Sequence, residues 1–168
     1  MKSARRRSRE FALQALYQWQ IAQQSVGDIE KQYAEADGFA KADGALFAAL
    51  VRGPIKDHAA LVEQLEPHLD RQWNEVSPIE RAVMLISGFE LMYMVETPYR
   101  VIINEAIELA KAFGGTDGHK YVNGVLDKLA ANVRAGEIRF QNENPEVRKP
   151  RTASKATVVM KKSRAGNL

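Results

Sequence analysis

A chain of 168 residues with 45% hydrophobic content can bury one core of ordinary size, so a single folded domain is expected, with room for two subdomains. The lack of cysteine excludes disulfides and thiolate metal sites, and His58, His68 and His119 have no paired ligand spacing, so neither a metal nor another cofactor is expected. No window approaches the roughly 20 apolar residues of a membrane span, and no apolar stretch follows the basic residues at the N-terminus as in a signal peptide. The expectation is a cytoplasmic protein without membrane contact.

The formal charge of +3 conceals a segregation along the chain. Residues 1–9 carry Lys2, Arg5, Arg6, Arg7 and Arg9 and no acid, a net of +5. Residues 144–168 have a net of +6, and the body between them a net of −8. An acidic body with two cationic ends points to an anionic partner met at defined places, since a uniformly basic surface would bind polyanions everywhere.

The first predicted element runs from Ser8 to about Gln24, its start open toward the arginines. Phe11, Ala12, Ala15, Leu16, Trp19 and Ala22 fall on one broad face at 100° per residue, the mark of an amphipathic helix. Leu13 and Tyr17 lie off that stripe, in line with Arg6. They form either a small partner-binding strip or an incidental surface pair. Helices are expected at about 28–40 and 43–68, the second capped by Asp43 and broken at Gly53-Pro54.

Ser77-Pro78-Ile79-Glu80 combines an N-cap serine, proline at the first helical position and glutamate at the third, a capping box. The helix that follows, through about Met94, is apolar almost all round and belongs at the centre of the fold. Glu90 sits on it among Ile79, Val83, Ile86 and Tyr93, where a lone carboxylate would cost several kcal/mol unless paired. A catalytic acid or a structural carboxylate bonded to a backbone N–H, a helix N-terminus or an arginine both satisfy the pattern. No second acid, base or nucleophile is arranged around it, which favours the structural role.

Thr97-Pro98 repeats the cap-then-proline start for a helix to about Phe113, closed by a left-handed stop at Gly114-Gly115. A last helix runs from about Thr116 or Asp117 to Val133, with Val122, Val125, Leu126, Leu129 and Val133 inward. Asp117, Tyr121, Gly124 and Lys128 share an adjoining strip, where an aromatic can stack on a base and a lysine can meet phosphate. Tyr121 fits core-edge packing equally well. Periodicity stops after Gly136. The composition of 141–168 reads as a basic disordered tail, with Val158-Val159-Met160 as a short run that a partner could order. Gly114-Gly115-Thr116-Asp117-Gly118 lacks the Gly-Lys-Ser/Thr ending of a phosphate-binding loop and follows a helix instead of a strand.

Three segments together resemble the NusB family: residues 5–19 (RRRSREFALQALYQW), 77–83 (SPIERAV), and 98–111 (PYRVIINEAIELAK) with 113–128 (FGGTDGHKYVNGVLDK). The resemblance covers about residues 2–134. It implies an all-α fold of about seven helices in two packed helical subdomains, so that residues 1–140 form the RNA-binding helical domain and 141–168 the tail. It further implies a non-catalytic transcription antitermination factor. Such a factor binds boxA RNA, single-stranded in nascent ribosomal RNA operon transcripts, with NusE, a small-subunit ribosomal protein, within the RNA polymerase antitermination complex of Nus factors.

Carried over residue by residue, the RNA contacts implied are Lys2, Arg5, Arg6, Arg7 and Arg9 with Asp117, Lys120 and Tyr121. Lys128 joins them from the strip above. Contacts to NusE are implied at Tyr17 and Glu80, with Leu13 added as the neighbour of Tyr17. The basic tail lies outside the shared pattern, and Tyr121 stands where the family often has phenylalanine, which keeps the stacking face and adds a hydroxyl. A monomer and a homodimer both remain open. Two rival readings are an RNA-modifying protein, since the same module resembles the N-terminal domain of some ribosomal RNA cytosine methyltransferases, and a protein-binding helical adaptor. The first would need a further α/β cofactor domain, for which nothing after residue 134 has the length.

Overall fold

The structure is a computed structural model that describes residues 1–147. The fold is all-α. Among the described residues there are eight α-helices, α1 (Ala4–Ala22), α2 (Val26–Ala34), α3 (Gly44–Lys56), α4 (His58–Leu65), α5 (Pro78–Tyr93), α6 (Tyr99–Phe113), α7 (Gly118–Val133) and α8 (Ala135–Glu143). Short 3-10 turns lie at Phe39–Lys41, Glu66–His68, Trp73–Glu75 and Pro145–Val147. Met1–Ala135 form one compact unit, and a second begins at Gly136. None of the described helices is long and apolar enough to cross a membrane.

The centre of the first unit is α5, as its sequence predicts. Residues Ala82–Gly88 are buried without interruption, and α5 packs against α1, α3, α4, α6 and α7. Its start is fixed locally: the Ser77 hydroxyl accepts from the Glu80 N–H and donates to the Glu80 carboxylate at 2.6 Å. The carboxylate thus binds the capping hydroxyl, where a full capping box would have it bind the backbone N–H. The other end of α5 is closed by Arg134, buried at the end of α7, which donates to the carbonyls of Glu90, Leu91, Met94 and Thr97. Carbonyls that a helix end leaves without partners are thereby satisfied.

Several local expectations are corrected. Helix α3 passes through Gly53-Pro54 and ends at Lys56; a Cβ at Gly53 would meet the Phe89 ring at 2.2 Å, so this glycine serves the close approach of α3 to α5 instead of a break. Helix α6 begins after Pro98 with no side-chain cap from Thr97. Its stop is not left-handed, since Gly114 has φ −98° and ψ −173°; a Cβ there would lie 2.7 Å from the Ala110 carbonyl oxygen. Helix α8 continues past the end of apolar periodicity. Polar bonds one turn apart support it, from the Gln141 side chain to Glu137 and from Asn144 to the Phe140 carbonyl. Of the expected tail 141–168, the part from residue 148 on, with Val158-Val159-Met160, lies outside the described residues.

The buried face of α1 is rotated relative to the predicted one. Ser8, Arg9, Ala12, Leu13, Ala15 and Leu16 are buried, while Phe11 and Trp19 are half-buried and Ala22 is exposed. The polar members of this face have internal partners. Ser8 donates to the Asp43 carbonyl at 2.6 Å and accepts from the Asp43 N–H at 2.8 Å, which ties α1 to the cap of α3. Arg9 holds Glu90 through two parallel bonds, Nε to Oε2 at 2.9 Å and Nη2 to Oε1 at 2.8 Å. Of the partners that the position of Glu90 left open, the structure supplies the arginine, and the side chains are only 3% and 1% exposed.

Removing one partner of such a pair leaves an uncompensated buried charge, which costs about 3–5 kcal/mol. Arg9→Ala is therefore expected to lower unfolding free energy in urea by that amount, and the double variant Arg9→Met/Glu90→Leu to recover most of it. Equal loss in the single and double variants would contradict the pairing as the cause.

Candidate nucleic-acid interface

Helical phase sorts the arginine run. Successive residues rotate by 100° around α1, so that Arg9 faces the core while Arg5 is exposed and Arg7 half-buried. Arg9 is thus corrected from an RNA contact to a structural residue. Burial works against its charge, but the hydrogen bond and charge of Glu90 outweigh it and hold the guanidinium pKa above the usual value. Arg6 is intermediate. It donates to Glu105 from Nε at 3.1 Å and from Nη2 at 2.6 Å, and that hydrogen bond raises its pKa; its side chain remains 39% exposed. Lys2, also exposed, pairs with Glu10 at 3.0 Å.

Lys2, Arg6, Arg9 and Glu10 line a cleft of about 180 Å³ with Glu105, Glu108, Leu109 and Ala112 of α6. From Ala112 the chain needs five residues to reach Asp117 at the start of α7, a span of at most about 18 Å. The cationic start of α1 and the start of α7 therefore flank one end of α6. Two larger clefts, of about 680 and 420 Å³, lie beside α4 and contain none of the predicted contact residues.

On α7, Asp117, Lys120, Gly124 and Lys128 are exposed, with Lys120 Nζ 3.5 Å from Asp117. Tyr121 is half-buried, and one face of its ring is covered by Arg71, whose Cζ stands 4.4 Å from the ring centroid. Arg71 in turn donates to Asp70 from Nε at 2.6 Å and from Nη2 at 3.1 Å. That bond holds the Asp70 carboxyl below its usual pKa and the Arg71 guanidinium above its own. The Tyr121 hydroxyl is buried beside Asp70 without a well-formed hydrogen bond, and burial raises its pKa. Glu80 reaches the same place from α5: a Cβ at Gly118 would lie 3.4 Å from its carboxyl carbon.

The residues predicted for a protein partner divide. Tyr17 is 37% exposed, while Leu13 is fully buried. The apolar strip of the pair is therefore one exposed tyrosine, because Leu13 belongs to the rotated core face of α1. Sequence reasoning missed Asp70, Arg71, Glu105 and Arg134. For Arg71 no periodic signal existed, since it lies between the two 3-10 turns of the α4–α5 connection; Glu105 is visible only as the counter-charge that a half-buried arginine requires.

Known proteins bear directly on this arrangement. The family model described as the NusB family matches residues 6–131. The chain is 61% identical over 138 residues to the transcription antitermination protein NusB of Burkholderia lata, covering 82% of this chain and 95% of that protein. Identity to the protein of the same name from Burkholderia vietnamiensis is 60% over 143 residues, 85% and 99% of the two chains. A solved structure of T. maritima NusB superposes with a TM-score of 0.68 at 29% identity, over 79% of this chain and 94% of that one. With the family pattern spanning α1 to α7 at this level of identity and fold, the chain belongs to the NusB family.

Proposed function

We propose that the chain is a non-catalytic transcription antitermination factor that binds boxA-type single-stranded RNA together with NusE, in the RNA polymerase complex of Nus factors. The observation that carries this reading is the cationic start of α1 set beside the end of α6 that leads within five residues into α7, on an otherwise acidic body. Family membership supports it. Lys2, Arg5, Arg6 and Arg7 supply attraction to phosphate, which fixes the strand but reads no sequence. Lys120 and Lys128 extend the positive track along α7. Tyr121 and Asp117 lie where unstacked bases present their faces and edges. Tyr17 and Glu80 are the positions for NusE, on α1 and at the start of α5.

Arg5 and Arg7 are the members of the run without an ion pair among the described residues, so they carry the test. Arg5→Ala/Arg7→Ala is expected to weaken binding to boxA and scrambled RNA alike and to flatten the salt dependence, by about 1.4 in log–log slope for two phosphate contacts on a single strand. An unchanged slope contradicts the assignment. Tyr17→Ala is expected to weaken NusE binding about tenfold, the scale of an interface tyrosine, without changing that slope. Equal NusE affinity in titration calorimetry would remove Tyr17 from the interface.

A further inference from the structure

We propose that Arg71 is the base-stacking platform of this interface, a guanidinium set over the Tyr121 ring and held in position by Asp70. The proposal rests on the RNA-binding reading above and names the side chain that meets a base.

Three observations lead to it. First, one face of the half-buried Tyr121 ring is occupied: Arg71 Cζ is 4.4 Å from the centroid. A base entering there must either expel the guanidinium, losing a cation–π contact and an ion pair, or stack on its outer face. The second path breaks nothing. Second, Asp70 grips Nε and Nη2, the geometry that fixes the plane of a guanidinium and not merely its charge. Nη1 keeps its donors free among the described residues and can reach a base carbonyl, a ring nitrogen or a phosphate oxygen. Third, the Arg71 side chain is 41% exposed, on a connection that meets α7 one turn from Asp117. A planar cation on an aromatic support receives a base face, the free Nη1 donors select among base edges, and the strand's phosphates are kept from the Asp70 side by its charge.

The experiment uses the full chain with NusE, boxA-type RNA carrying 2-aminopurine at one position at a time, and a scrambled control. Arg71→Lys retains the charge and loses the plane. Its salt slope is expected to stay that of the unsubstituted chain, while the preference for boxA and the 2-aminopurine quenching at one position fall about tenfold. Arg71→Ala should show the same losses, since it removes the plane as Arg71→Lys does. Asp70→Asn should raise binding to both RNAs by removing an acid, yet narrow the preference, since the plane is no longer held. Thermal unfolding checks that these exposed substitutions leave the fold intact. Undiminished quenching and preference in Arg71→Lys would overturn the platform while the RNA-binding reading stands. Failure of the unsubstituted chain with NusE to bind either RNA would overturn both.

Discussion

A guanidinium and a carboxylate withdrawn from water join α1 to α5, and the placement of the remaining side chains on α1 follows from that contact. Two buried charges are stable here because the bonds are bidentate and in plane: each Glu90 oxygen receives one N–H of Arg9. The remaining Arg9 nitrogen faces Glu105 of α6 at 3.5 Å, and Glu105 also receives Arg6. One chain of alternating charge thus crosses from α5 through α1 to α6. Hydrophobic burial supplies most of the cohesion of such a unit, but it is indifferent to rotation by a few tens of degrees about a helix axis. Directional bonds from Arg9 and Ser8 select one rotation.

That rotation turns a generic basic run into distinct positions. With Arg9 inside, Arg5 points outward and Arg6 lies at the boundary, where Glu105 compensates it. A cluster of five cations read as equivalent becomes a graded set, one structural, two paired at the surface, two available. The same economy governs the far end, where Arg134 binds the terminal carbonyls of α5 and so ends it where α6 can begin.

Much of this was legible in the sequence, and the limits have physical causes. The cap at Ser77, the central position of α5 and the need of Glu90 for a partner were all evident, because capping chemistry and burial cost are local properties. An apolar count misplaces the phase of α1 because it weights Phe11, Trp19 and Ala22 and ignores Ser8 and Arg9. Yet Arg9, Ala12, Leu13 and Leu16 follow the i, i+3, i+4, i+7 spacing of one face. A polar residue at such a position is itself a signal for a buried bond. Taking it so would have placed Leu13 inside and matched Arg9 to Glu90. The contact between Arg71 and Tyr121 had no such trace, since it depends on how an irregular connection folds back onto α7.

The acids beside the proposed RNA-contacting residues acquire a common meaning in this arrangement. Glu10 accompanies Lys2, Glu105 accompanies Arg6, Asp70 accompanies Arg71 and Asp117 accompanies Lys120. Exposed pairs of this kind contribute little to stability, about 0–1 kcal/mol each. Their larger effect is on association. A phosphate approaching any of these cations meets a competing carboxylate, so attraction toward an arbitrary polyanion is weakened at every step, and a strand gains full benefit only where stacking and base-edge contacts add to the charge term. An acidic body therefore suits an RNA-binding protein that must ignore most RNA. It subtracts the sequence-independent part of the affinity and leaves discrimination to contacts with base faces and edges, the role proposed for the residues around Tyr121.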